Sequence, residues 1–239
     1  ESVHGPEYRT LCRSISINPA DGSAYFTTGE GWIFRYNPAT NSIAKLDGED
    51  LRKDYFGSYD PSSPGHMGYN WRQTFWYEPE KVIYGIHGNS GYLFRFDPAA
   101  PRVEIVDRIT SAPSRRSGMF DQFSYGYLGF TLGPDRETIY YLTGGPIYRN
   151  GKRVAGKAST ATGEAKGEED LHLITYNLPR RKYTDHGAVF LPDGQRPTWV
   201  NSIAVGKDGA VYTLGRVRRN GKVLADLIRI PAPQEVALR

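Results

Sequence analysis

Most of the features that identify a function at a glance are missing from this chain. It holds one cysteine, Cys12, among 239 residues, so no internal disulfide can form and cysteine-pair metal sites are excluded. Cys12 stands between Leu11 and Arg13, just before an alternating run, and reads as a small buried hydrophobe. No apolar stretch approaches the roughly 20 residues a membrane-spanning helix needs. No Asn-x-Ser/Thr acceptor site is present, so nothing points to eukaryotic secretion. There is no Gly-x-Ser-x-Gly elbow, and Gly144-Gly145-Pro146 is too short to be a phosphate loop. No histidine or cysteine pair has zinc spacing. Helical periodicity is nearly absent; a single helical turn is expected around Gly48–Lys53. The first residue is Glu1 rather than Met, which predicts a processed or truncated start with any signal peptide already removed.

What is abundant suits short strands joined by turns. The chain has 27 Gly and 16 Pro, with 17 Tyr, 10 Phe and 4 Trp. A formal charge of +4 is modest and fits an acidic ligand such as a uronate polymer. The basic residues are scattered rather than striped, which argues against nucleic acid as a partner.

The chain also repeats itself. Trp32-Ile33-Phe34-Arg35-Tyr36-Asn37-Pro38 returns as Tyr92-Leu93-Phe94-Arg95-Phe96-Asp97-Pro98, then as Leu173–Pro179 and Leu227–Pro231. Each copy is an alternating strand running into a turn, and Pro-Asp-Gly and Lys-Asp-Gly signals separate such strands as hairpins do. Four antiparallel strands per unit make the blade of a β-propeller. The fold class expected is therefore all-β, a β-propeller of four-stranded antiparallel blades. About four blades lie in this chain, near residues 11–46, 72–109, 127–190 and 200–231. The whole of 1–239 then forms one propeller domain or part of one. No clear fourth strand follows Ile230, so the chain is either a complete small propeller or, the preferred expectation, the C-terminal part of a larger one. Glu1–Thr10 is then the closing strand or the tail of a preceding blade, and another polypeptide is a further way to complete the ring.

Strand alternation puts the long connections Asp47–Asn70, Thr110–Gly126, Gly144–Asp170 and Leu191–Trp199 on one face, where binding usually resides. Three groups there carry chemistry-bearing residues. The first is Gly65–Arg72, with His66, Asn70, Trp71 and Arg72 at the entry to a strand; histidine titrates near neutrality and serves as a general base. The second is Gly85–Gly91, where His87 and Asn89 break the pattern of the matching turn Thr28–Gly31. The third is Pro113–Tyr127. Its Arg115 and Arg116 suit bidentate carboxylate binding, and Tyr125 and Tyr127 suit proton donation or stacking. Each group has a structural alternative: loop-satisfying side chains, a turn histidine bonded to backbone, or channel packing. His172 and His186 read as structural, and Gly163–Asp170 as a solvated charged loop.

These blades, with strands ending Phe-Arg-Tyr-Asn-Pro and Phe-Arg-Phe-Asp-Pro and the Gly-Lys-Asp-Gly turn before Val-Tyr, resemble a group of bacterial propellers. That group includes streptogramin lyase and oligogalacturonate lyase. The resemblance covers most of Leu11–Pro231. It implies β-elimination with a histidine or tyrosine base and frequently a divalent metal; of the histidines, only His66 and His87 are placed to contribute to a metal site. The resulting expectation is a periplasmic or secreted polysaccharide lyase acting on an acidic polysaccharide or oligosaccharide. Arg115 and Arg116 neutralise the uronate carboxylate, His66 or His87 takes the proton, and Tyr125 or Tyr127 protonates the leaving oxygen, with Asn70, Arg72, Trp71 and Asn89 binding substrate. The alternative is a non-catalytic propeller that binds a glycan or a protein.

Overall fold

The computed structural model describes residues 14–28, 31–52, 71–87, 91–117, 129–154, 169–200 and 202–233. They fold almost wholly into antiparallel sheet, in four four-stranded sheets with one short helix. This is the all-β architecture of propeller blades. The chain forms two compact units, Glu1–Arg108 and Ile109–Arg239.

Unit 1 holds two blades. The first is β1 (Ile15–Ile17), β2 (Ala24–Thr27), β3 (Trp32–Asn37) and β4 (Ser42–Asp50); the second is β5 (Trp71–Tyr77), β6 (Val82–His87), β7 (Tyr92–Asp97) and β8 (Arg102–Arg108). Strands pair in chain order in both. Unit 2 opens with helix α1 (Ala112–Ser117). Its first blade is β9 (Phe130–Leu132), β10 (Thr138–Pro146), β13 (Glu169–Asn177) and β14 (Lys182–Ala188), with a small hairpin of β11 (Tyr148–Arg149) and β12 (Lys152–Arg153) between β10 and β13. In the last blade, β15 (Trp199–Val200) and β16 (Ala204–Val205) both pair with β17 (Val211–Arg219), which also pairs with β18 (Lys222–Ile230).

One local device recurs in the blades. The turn after the first strand contains an acid, Asp21, Glu80, Asp135 or Asp208, followed by a residue in the left-handed region: Gly22, Lys81, Arg136 or Gly209. A tyrosine follows in the second strand: Tyr25, Tyr84, Tyr140 or Tyr212. In three blades it stands opposite an arginine of the third strand, as Tyr25 with Arg35, Tyr84 with Arg95 and Tyr212 with Arg229. Those arginines reach back to the turn acids, at 3.3 Å for Asp21, 2.9 Å for Glu80 and 3.4 Å for Asp208. Solvent-exposed pairs of this kind contribute only about 0–1 kcal/mol each. Their value lies in fixing the turn against the third strand, and so the register of the blade.

The cores lie between blade faces. In unit 1, Trp71 stacks on Phe94 with ring centroids 5.9 Å apart and packs with Ile33, Ile83, Phe96 and Leu51. Its Nε1 donates to Ser14 O at 2.8 Å, and Ser16 Oγ donates to Thr74 Oγ1 at 2.7 Å, so the two blades are also hydrogen-bonded. In unit 2, Leu142, Leu171 and Leu173 pack against Val200, Val211, Val217 and Ile228. Among the described residues, no helix is long and apolar enough to cross a membrane.

Three expectations are corrected. The helical turn expected at Gly48–Lys53 is instead the end of β4, which runs to Asp50; Gly48, at φ 83°, sits where the β3–β4 register shifts, so the glycine marks a bulge. The segment Gly144–Asp170 is not all loop, because β10 and β13 pair out to Pro146 and Glu169. The connection Thr110–Gly126 contains α1.

Replacing Trp71 with Ala should cost about 3–5 kcal/mol through loss of a buried ring. Gly85→Ala should cost about 1–3 kcal/mol, because the added Cβ overlaps the Phe94 ring. Urea denaturation of both variants checks this; a loss under about 0.5 kcal/mol for either would contradict the packing described.

Candidate functional site

The best-defined constellation of polar groups lies where α1 meets the first blade of unit 2. Ser111 caps the helix: its Oγ accepts from Ser114 N at 3.3 Å, and its carbonyl accepts from Arg115 N at 2.9 Å. Pro113 falls within the first turn, where its missing N–H costs nothing. Four further bonds tie this segment to the blade. Ser111 Oγ donates to Gly144 O at 2.8 Å and Ser114 Oγ to the same oxygen at 3.4 Å. Tyr183 Oη donates to Thr110 O at 2.6 Å, and Ala112 N donates to Asp185 Oδ2 at 2.7 Å.

Asp185 is the centre of this arrangement. Its side chain and that of His172 are each 9% exposed. His172 Nδ1 lies 3.0 Å from Asp185 Oδ1 and 3.1 Å from Oδ2, and Gly187 N donates to Oδ1 at 2.8 Å. Burial pushes the carboxyl up, but the bonds from His172, Ala112 N and Gly187 N outweigh it and hold Asp185 below the usual carboxylate range. Glycine is required at 145, since a Cβ there would overlap His172 Nε2. Above this base, Arg115 is exposed with its guanidinium 4.2 Å over the Tyr183 ring. The arginine is therefore presented on a pinned helix and a fixed aromatic face.

The other candidates fare differently. His66, Asn70, Asn89, Tyr125 and Tyr127 lie outside the described residues, as do the side chains of Arg72 and Arg116. Trp71 and His87 stand opposite each other in the β5–β6 pair, but as core residues, 0% and 1% exposed. For His87 the reason is that β6 is a central strand, buried at every position; Trp71, in β5, is covered by stacking on Phe94. This takes Trp71 and His87 off the ligand-facing surface where the sequence had placed them. His172 and His186, read from the sequence as structural, each have a hydrogen-bond partner: the first bonds Asp185, and the second, exposed, shares a 2.7 Å bond with Thr175 Oγ1. Among the described residues, no three His, Cys, Asp or Glu side chains gather as metal ligands. With His87 in the core, those residues do not fit a multi-histidine metal site.

The pinning of α1 was not foreseen from the sequence. Strand alternation puts Tyr183 and Asp185 on one side of β14, yet nothing local shows that Asp185 meets Ala112, 73 positions earlier.

Because Asp185 is held below its unfolded value of about 3.8, its stabilising effect is complete above that value and is lost as pH falls through the folded one. Asp185→Asn should therefore melt below the wild type at neutral pH, with the gap closing towards pH ~2. A gap that stays constant over this range in thermal melts would contradict the anchoring role.

No family model matches the chain, and no curated protein matches it. Solved structures are similar to it in fold. A Bacteroides thetaiotaomicron protein of unknown function is similar over 95% of this chain and 49% of its own, at 11% identity and a TM-score of 0.50. The WD40 domain of Neurospora crassa Pan2 is similar over 87% of this chain and 50% of its own, at 10% identity and a TM-score of 0.46. A chain of a nidogen/laminin complex is similar over 93% of this chain and 65% of its own, at 10% identity and a TM-score of 0.49. The chain thus spans less than two thirds of the length of each of these structures. At such identities the likeness is one of fold alone.

Proposed function

We propose that this propeller is carbohydrate-active: it binds an acidic polysaccharide through Arg115 and Arg116 and cleaves it by β-elimination outside the cytoplasm. The observation that supports this reading is the presentation of Arg115, exposed over Tyr183 on a helix tied to the blade by Asp185, Gly144 and Tyr183. A guanidinium held in place in advance binds a uronate carboxylate without first being ordered. It also lowers the barrier to elimination, since the developing carbanion spreads its charge onto that carboxylate. The proton on the carbon beside the carboxylate passes to a base, its electron pair forms the double bond, and the bond to the leaving glycosidic oxygen breaks. A histidine serves as the base, and Tyr125 or Tyr127 protonates the leaving oxygen.

A second reading is a non-catalytic glycan- or protein-binding module. The burial of Trp71 and His87 favours it, because it leaves fewer reactive groups at the ligand surface. Ultraviolet absorbance over time, with a panel of acidic polysaccharides, separates the two. Elimination predicts a rising signal from a new conjugated double bond, reduced at least about 100-fold in the Arg115→Ala, Arg116→Ala double variant. A flat trace for the wild type across the panel, with binding retained, would leave the binding module.

A further inference from the structure

A second site lies in unit 1, in the seam between its two blades at their turn end. There a cleft of about 360 Å³ opens, within the usual range of small-ligand pockets. The turn of the first blade contributes Asn18 and Asp21, and its second and third strands contribute Tyr25 and Arg35. The second blade contributes Trp76, Glu78 and Lys81. The polar groups are pre-arranged. Arg35 donates to Ser23 Oγ at 3.1 Å through Nε and at 2.8 Å through a terminal nitrogen, and that nitrogen also lies 3.3 Å from Asp21 Oδ2. Trp76 Nε1 donates to Glu78 Oε2 at 2.7 Å, which fixes the half-buried indole.

Trp76 breaks the repeat. Cross-strand register aligns it with Ile17, Leu132 and Val205, aliphatic residues in the other three blades. The corresponding seam of unit 2 differs in its side chains rather than in whether it is packed. Trp76 and Val205 each pack against the core cluster of their own unit, but Thr175 stands opposite Tyr140 where Arg35 stands opposite Tyr25. Unit 1 therefore sets an indole beside a guanidinium where unit 2 sets a valine beside a threonine.

We propose that this cleft is a saccharide-binding site that takes a neutral pyranose unit, stacked on Trp76 and hydrogen-bonded by Arg35, Asp21 and Asn18. An indole face pairs with the apolar face of a sugar ring, while rim donors and acceptors read its hydroxyls. The charged side chains at the cleft, Asp21, Arg35, Glu78 and Lys81, balance. The cleft therefore has no net charge to draw an anionic unit such as the one proposed for Arg115. The volume admits about two sugar rings.

The test is a titration of the intact protein with neutral tetrasaccharides (maltotetraose, cellotetraose, xylotetraose and mannotetraose), followed by saturation-transfer NMR on the sugar. At least one should bind at millimolar concentration or tighter. Trp76→Ala should weaken it at least about tenfold, and Trp76→Phe, which keeps a flat ring and the packing, should stay within about threefold. The Arg115→Ala, Arg116→Ala variant should bind the neutral sugar like the wild type, so failure of the acidic-polymer reading does not touch this one. Binding of none of the four sugars overturns the proposal. So does binding unchanged in Trp76→Ala, or binding that falls with the arginine pair instead.

Discussion

A propeller blade is a sheet with two faces, and its inner strands can be covered on both while its outer strands stay exposed. That constraint shapes the rest of this molecule. Strand β6 is buried at all six positions, because one of its faces packs on the first blade and the other is also covered. Such a strand has no surface on which to carry a reactive group. Its terminal His87 is a packing element for that reason, and Trp71 of β5 is one because it stacks on Phe94 in the core. The two proposed sites lie instead at strand ends and blade connections: a linker helix bound to a blade, and a seam opened at a turn.

Much of the fold was legible in the sequence. Strands β3 and β7 coincide with the repeats read at Trp32–Pro38 and Tyr92–Pro98, because alternation and hairpin turns are local signals. The errors lie where a local signal has two meanings. Gly48 marks a bulge in a continuing strand rather than a break, and Gly144-Gly145-Pro146 belongs to a long strand in which Gly145 makes room for His172. Helix α1 has one turn and no amphipathic period, so nothing in its composition distinguishes it from loop.

The candidate site was legible only in part. Arg115 was recognisable from its type and its place in a long connection. Its support was not, because Asp185 and His172 act on α1 across a large sequence separation. The acid–tyrosine–arginine repeat could have been read, since its acid and tyrosine keep nearly constant spacing in every blade. Reading it would also have exposed Trp76 as the aromatic exception among aliphatic equivalents.

In the proposed function, the buried Asp185 carboxylate supports a ligand surface that it does not itself touch, by holding the helix that bears Arg115. The affinity of Asp185→Asn for a polyuronate, measured beside the wild type by titration calorimetry at fixed ionic strength and at a temperature where both are folded, tests this. The expected result is at least about a tenfold loss of affinity in the variant with the fold intact. Wild-type affinity in a folded Asp185→Asn protein would contradict it.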